Sequence, residues 1–189
     1  MAAPRKDNVK DIILDTTENL LNNHSIDNLS LANICKEAGV SKGTLYYYYK
    51  TKEEILLDLT DRYLAQQEKD LFAWLDDPTK DTSLHRMVKY VIERDVYETG
   101  PRFHLIYNAC IGNEQIREKV VERYMMFEHL IADKLSSRVK GMNPLYLSRL
   151  LLLLSDGLLI QKELNNANFN IEEFIDQTAS LTAHLEAKR

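Results

Sequence analysis

The stretch Ser30-Leu31-Ala32-Asn33-Ile34-Cys35-Lys36-Glu37-Ala38-Gly39-Val40-Ser41-Lys42-Gly43-Thr44-Leu45-Tyr46-Tyr47-Tyr48-Tyr49-Lys50-Thr51-Lys52-Glu53-Glu54 reads as two short helices, a tight turn and the opening of a third helix. Ser30 is an N-cap residue type, and Leu31, Ile34, Cys35 and Ala38 then share one helical face. Gly39 stands where a left-handed residue ends such a helix, and Ser41 can cap the next one. In that second helix Lys42, Gly43, Tyr46, Tyr47 and Lys50 fall on one side, while Leu45, Tyr48 and Tyr49 share the opposite stripe. Thr51-Lys52-Glu53-Glu54 has the form of a capping box. Two short helices around a glycine-containing turn have the dimensions of a helix-turn-helix, whose second helix enters the major groove.

Outward from this stretch, the same period continues. Breakers are rare, with 6 Gly and 4 Pro in 189 residues, and the segments between them repeat apolar residues at helical spacing. The fold class is therefore all-α, with nine helical segments. They run from about Asp7 to Asn23, from Ser30, from Ser41, from Thr51 to Leu75, Ser83 to Tyr97, Pro101 to Ile111, Glu114 to Lys140, Pro144 to Asn165 and Ile171 to Ala187. In the first of these, Val9, Ile12, Ile13, Thr16 and Leu20 form the expected inward stripe.

Net charge −5 excludes a uniformly basic nucleic-acid binder, so any DNA contact is local. Residues 1–52 hold seven Lys and Arg against six Asp and Glu, which leaves the acidity in the C-terminal part. Cys35 and Cys110 supply neither a disulfide framework nor a cysteine zinc site. The start of the chain has no apolar signal region, and Leu145 to Leu164 is interrupted by Arg149, Asp156, Lys162 and Glu163. The expected setting is cytoplasmic, with no membrane partner. His104, Cys110 and His129 match no standard metal spacing, and no catalytic motif is present. The expectation is no enzyme, no catalytic residue, no metal and no cofactor.

Two residues of the helix-turn-helix point to an anionic partner. Gly43 weakens a helix by about 1 kcal/mol relative to Ala, which a close approach to DNA would explain, as would a tolerated first-turn glycine. Lys52 sits at the positive end of a helix, where a phosphate would offset the unfavourable dipole interaction.

The run Ala38-Gly39-Val40-Ser41, then Lys42-Gly43-Thr44-Leu45-Tyr46, then Lys50-Thr51-Lys52-Glu53-Glu54, at fixed spacing, closely resembles the DNA-binding signature of the TetR family of transcriptional regulators. Ser25 stands where glycine is common in that family, Cys35 where alanine is usual and Tyr49 where phenylalanine is usual. The resemblance implies a three-helix DNA-binding domain over residues 1–52 and a helical ligand-binding and dimerisation domain over 53–189. It implies a homodimeric, ligand-responsive regulator, a repressor in the main reading, on a palindromic operator in double-stranded DNA. Carried over by position, Lys42, Gly43, Thr44 and Tyr46 meet base edges and sugar-phosphate. Tyr47 and Tyr48 contact the backbone, Lys52 clamps a phosphate, and Ser30 and Ser41 present helix-start amides. Arg5, Lys6 and Lys10 form a candidate N-terminal arm.

In the C-terminal part, Trp74, Met87, Tyr90, Arg94, Phe103, His104, Tyr107, Cys110, Tyr124 and Phe127 are apolar and aromatic with a few polar handles. This is the chemistry of a site for a small apolar or aromatic effector. The segment from Pro144 is apolar nearly all round and so needs cover on two faces. Leu150, Leu154, Gly157, Leu158, Phe174, Thr178 and Leu181 on the last two helices are the candidate dimer interface. Two rival readings stay open. One is a small-molecule-binding or enzymatic protein with a vestigial DNA-binding domain, and the other an activator or co-regulator without an effector.

Overall fold

The computed structural model describes residues 8–23, 29–81, 83–97 and 101–183. The expected helix start at Asp7, the arm residues Arg5 and Lys6, Ser25, Gly100 and the extension of the last helix to Ala187 lie outside the described residues. Among the described residues the chain forms nine helices and no strand. They are α1 (Val9–Asn23), α2 (Leu31–Ala38), α3 (Lys42–Tyr48), α4 (Lys52–Asp76), α5 (Leu84–Tyr97), α6 (Arg102–Cys110), α7 (Glu114–Ser136), α8 (Pro144–Glu163) and α9 (Ile171–Ala183). The all-helical expectation holds.

The boundaries follow from local hydrogen bonding. Ser30 and Ser41 each accept the amide of the residue three positions on, Asn33 at 3.2 Å and Thr44 at 3.0 Å. At the end of α2, Gly39 takes φ 65°, its N–H bonds the Lys36 carbonyl at 3.3 Å, and the Val40 N–H bonds Cys35 at 3.1 Å. That pair is a Schellman closure, and it needs a residue tolerant of positive φ at Gly39. At α4, Thr51 Oγ1 accepts the Glu54 amide at 3.2 Å, while the Glu54 carboxylate accepts the Lys50 N–H at 2.6 Å. The reciprocal cap thus reaches one residue further back than the usual capping box.

Two details differ from the sequence reading. α7 ends at Ser136 rather than Lys140, because the Arg138 and Val139 amides both turn back to the carbonyl of buried Leu135, at 2.9 and 3.1 Å. In α1 the inward face is Val9, Ile13, Leu14, Thr17 and Leu21, with Ile12, Thr16 and Leu20 half-buried at its edge. The buried Thr17 hydroxyl donates to the Ile13 carbonyl at 2.7 Å, so a polar residue lies inward with its donor satisfied.

By internal packing the chain divides into two units: Met1–Gln66 with Thr99–Val120, and Gln67–Glu98 with Val121–Arg189. The boundary expected between residues 52 and 53 falls at the start of α4, inside the first unit. In the first unit α1 packs on α2 and α2 on α3. Its core is built by Ile13, Leu21, Ile34, Leu45, Tyr49, Ile55, Leu59 and Ile116. In the second unit α5 packs on α8 and α9, around Leu71, Leu84, Val88, Val91, Ile131, Leu151 and Ile175. α8 is long and apolar enough to cross a bilayer, but Leu147, Leu151, Leu152, Leu158 and Leu159 are buried within the second unit.

Candidate nucleic-acid interface

α3 has seven residues, and one of them, Leu45, is fully buried. That anchor orients the rest, because residues on opposite sides of two helical turns must face opposite ways. Lys42, Gly43, Tyr46 and Tyr47 are exposed, Tyr47 at 72%, whereas Thr44 and Tyr48 are half-buried. Tyr48 packs against the first unit's core and meets the edge of Tyr47 with ring centroids 5.1 Å apart. Ser30 and Ser41 are exposed at the two helix starts, and the Thr44 hydroxyl lies 2.8 Å from that of Ser41. A Cβ added at Gly43 would meet only the Ser41 hydroxyl, at 3.8 Å, so packing within the chain does not require glycine there. The ammonium of Lys50, just past the end of α3, is turned back onto the Tyr46 carbonyl of that helix. Lys52, half-buried, opens α4 beside Glu53 and Glu54.

The back of α3 is tied to its neighbours. Tyr49, 3% exposed, donates its hydroxyl to Asp58 Oδ2 at 2.7 Å, and the Lys10 ammonium lies 2.6 Å from the same oxygen. One turn along α4, Arg62 pairs with Asp15 and Glu18 of α1. Burial would raise the Asp58 carboxyl, but hydrogen bonds from Lys10 and Tyr49 outweigh it and hold the group below the ordinary carboxylate value. Burial and the adjoining Asp58 push the Tyr49 phenol upward. A carboxylate with a depressed folded pKa contributes stability above its unfolded pKa and loses it as pH falls through the folded one. The stability difference between wild type and Asp58→Asn is therefore expected to be full at neutral pH and to vanish on acidification below pH 3.8, as read by urea unfolding across pH. A constant difference down to the acid transition would contradict this.

The geometry is that of a capped helix with a fixed back and an exposed Lys-Gly-Tyr-Tyr front, joined to its partner helix by a glycine turn. Residues 13–59 match the family model described as bacterial regulatory proteins, tetR family. The family match and the resemblance read from the sequence thus fall on the same helix-turn-helix residues. The chain is 36% identical over 86 residues to the HTH-type transcriptional regulator EthR of Mycobacterium tuberculosis, covering 46% of this chain and 39% of that protein. An uncharacterized HTH-type transcriptional regulator of Lactococcus lactis is 24% identical over 136 residues, 69% of each chain. The chain thus spans about two fifths of the length of the EthR relatives it matches. Among solved structures, a putative transcriptional regulator from Saccharomonospora viridis in complex with choline superposes with TM-score 0.81 over 97% of this chain and 100% of that one, at 18% identity. A TetR-family regulator from Cytophaga hutchinsonii superposes with TM-score 0.78 over 100% of both chains, at 15% identity. The fold beyond the helix-turn-helix is therefore also one found in TetR-family regulators.

Outside the TetR-type helix-turn-helix, six of the candidate effector residues lie in the second unit. Trp74 stacks on Tyr90 with centroids 4.2 Å apart and planes 5° from parallel, and the Tyr90 hydroxyl donates to the Asp70 carbonyl at 3.1 Å. The Arg94 guanidinium lies 6.0 Å from the Tyr90 ring centre and 5.4 Å from that of Phe127, whose ring also carries Arg123 at 5.7 Å. Arg94 is buried, with its side chain 1% exposed, and its Nε and Nη2 both donate to Asp95 Oδ1, at 3.0 and 2.7 Å. Its Nη1 has no hydrogen-bond partner. Met87 is buried in the same core, and Tyr124 donates its hydroxyl to Asp156. The other four are on α6 in the first unit. Phe103 and His104 pack edge to face at 5.9 Å, and Tyr107 and the free thiol of Cys110 are exposed. Asp95, Arg123 and Asp156 escaped the sequence reading, because nothing in local spacing marks a charged residue that tertiary packing will bury or pair.

Apart from the charged Arg149 and Glu163, the exposed residues of α8 are Tyr146, Leu150, Leu153, Gly157 and Ile160, and with Leu164 just past its end they recur at alternating intervals of four and three. That is the spacing of a seam that meets another helix. Of the expected interface set, Leu150, Gly157 and Leu181 are exposed and Leu154, Phe174 and Thr178 half-buried, while Leu158 is buried in its own unit's core. Leu153 and Ile160, exposed on the same row, fall outside the expected set, since a helix with leucine all round does not show which face is left out.

Proposed function

We propose that the chain is a cytoplasmic, ligand-responsive transcriptional repressor that binds a palindromic operator as a homodimer. The observation that carries this is α3: a helix capped by Ser41, anchored by Leu45 and exposing Lys42, Gly43, Tyr46 and Tyr47. In this reading Lys42 reads a guanine edge, Thr44 and Tyr46 line the groove, and the bare backbone at Gly43 comes close to the sugar-phosphate. Tyr47, Tyr48, Lys52 and the amides at Ser30 and Ser41 hold phosphates and set register. Residues 1–52 would carry DNA contact and 53–189 effector binding and dimerisation.

The effector reading rests on the aromatic group Trp74, Tyr90, Tyr124 and Phe127 with Met87 and Arg94. Asp95 already compensates the Arg94 charge, and two guanidinium groups flank Phe127. Both features favour an uncharged apolar or aromatic molecule over an anion or a quaternary ammonium. Phe103, His104, Tyr107 and Cys110 are candidate effector contacts by residue type alone. Effector binding would shift the population of α4 orientations, change the spacing of the two recognition helices across the dimer, and lower operator affinity. The α8 seam with Leu181 supports the homodimer.

The test is selection of randomised duplexes by the full-length protein, followed by gel-shift titration. The expected result is a palindrome with half-sites about one helical turn, 34–36 Å, apart. Recovery of no enriched sequence would overturn the reading.

A further inference from the structure

We propose that Asp58 is a positioning residue for DNA binding, which fixes the angle between the recognition helix and the phosphate-clamping start of α4 by accepting the hydroxyl of Tyr49. This rests on the DNA-binding reading above. Three helices meet at one oxygen: Tyr49 follows the last turn of α3, Asp58 is on α4, and Lys10 is on α1, with both donors within 2.7 Å of Asp58 Oδ2. Between α3 and α4 the chain has only Tyr49, Lys50 and Thr51. Tyr49 is extended, at φ −138° and ψ 129°, and its N–H still bonds the Leu45 carbonyl at 2.9 Å.

The hydroxyl is not needed to fill space, since a phenylalanine ring would occupy the same buried position. What the hydroxyl adds is direction. A ring packed only among apolar neighbours can slide or tilt by small amounts, whereas a hydrogen bond to a carboxylate fixes the end of the ring in distance and angle. α3 is a seven-residue helix with one fully buried side chain, so a tilt at its C-terminal end moves Tyr46 and Tyr47 together. Asp58 lies six residues after Lys52 on the same helix. The Tyr49 bond therefore references the base-reading face to the phosphate-holding one. Lys10 has a different part: it neutralises the carboxylate and ties in α1, a connection that Arg62 makes a second time through Asp15 and Glu18. Loss of Lys10 leaves α1 held, while loss of the Tyr49 hydroxyl releases α3.

The experiment uses full-length wild type, Tyr49→Phe, Asp58→Asn and Asp58→Ala against two duplexes: the sequence enriched by wild type and a random sequence of equal length. Affinity is read across a salt series, with thermal unfolding in parallel. Tyr49→Phe is expected to lower affinity for the enriched duplex by about three- to tenfold, the scale of one hydrogen bond. The slope of log affinity against log salt should stay unchanged, because Lys52, the cationic phosphate contact, is not touched by the change, and affinity for the random duplex should fall far less than for the enriched one. Asp58→Asn keeps an acceptor for the hydroxyl and should retain more discrimination than Asp58→Ala. A purely structural role would lower the melting temperature and leave the ratio of the two affinities intact in the folded protein. Equal ratios for wild type and Tyr49→Phe would overturn the positioning role alone. Failure of wild type to prefer the enriched duplex would overturn the DNA-binding reading with it.

Discussion

A full-length variant carrying Leu153→Glu and Leu181→Glu is expected to sediment as a monomer and to lose operator affinity by about two orders of magnitude, the usual gain from linking two binding modules. The two side chains are 69% and 70% exposed in the single chain, so glutamate at either position is solvated and the subunit should keep its helical content. In a dimer closed along the α8 seam, the same carboxylates would be taken out of water, and two-fold symmetry would place each of them twice. The weaker binding then follows from geometry: each recognition helix reads one half-site, and an isolated helix-turn-helix no longer gains from its tethered twin. Sedimentation and circular dichroism check the first half and gel-shift titration the second. A variant that remains dimeric would place the interface elsewhere on the surface.

The second large effect separates phosphate contact from base reading. Lys52→Ala combined with Tyr47→Phe is expected to weaken binding to enriched and random duplexes alike. The salt slope should become shallower by about 0.9 for each phosphate that a subunit no longer neutralises. Lys42→Ala should instead weaken the enriched duplex by about 1–3 kcal/mol per half-site read, and change the random duplex far less. The contrast arises because Lys52, at the positive end of α4, would meet charge that every sequence carries, whereas Lys42 is exposed in the first turn of α3 and would reach a base edge. Binding that survives Lys52→Ala and Tyr47→Phe undiminished at physiological salt would remove both residues from the interface.

Ser30, Gly39, Ser41, Thr51 and Glu54 were readable as boundaries because each acts on a backbone group within a few positions of itself. The exposed front of α3 was readable for a related reason. Once Leu45 is taken as the inward residue, a rotation of about 100° per position assigns Tyr46 and Tyr47 to the outside, with Lys42 exposed in the first turn beside them. The four consecutive tyrosines divide as that rotation requires, with Tyr46 and Tyr47 outward, Tyr48 half-covered and Tyr49 inward.

The order of amino acids is thus enough for the helical class, the helix-turn-helix with its caps, and the face of α3 left for a partner. All of these rest on interactions that close within one or two helical turns. Long-range packing was needed to establish that the Tyr49 hydroxyl ends on Asp58, that Arg94 is buried against Asp95 with its Nη1 unpaired, and that the exposed seam of α8 runs through Leu153 and Ile160. The physical reason is shared by all three. The Tyr49 hydroxyl is satisfied by another helix, Arg94 is buried by the core around Phe127 although its charge partner is the next residue, and the covered faces of α8 belong to a core shared with α5 and α9. Helical periodicity says which residues share a face and says nothing about what that face will meet.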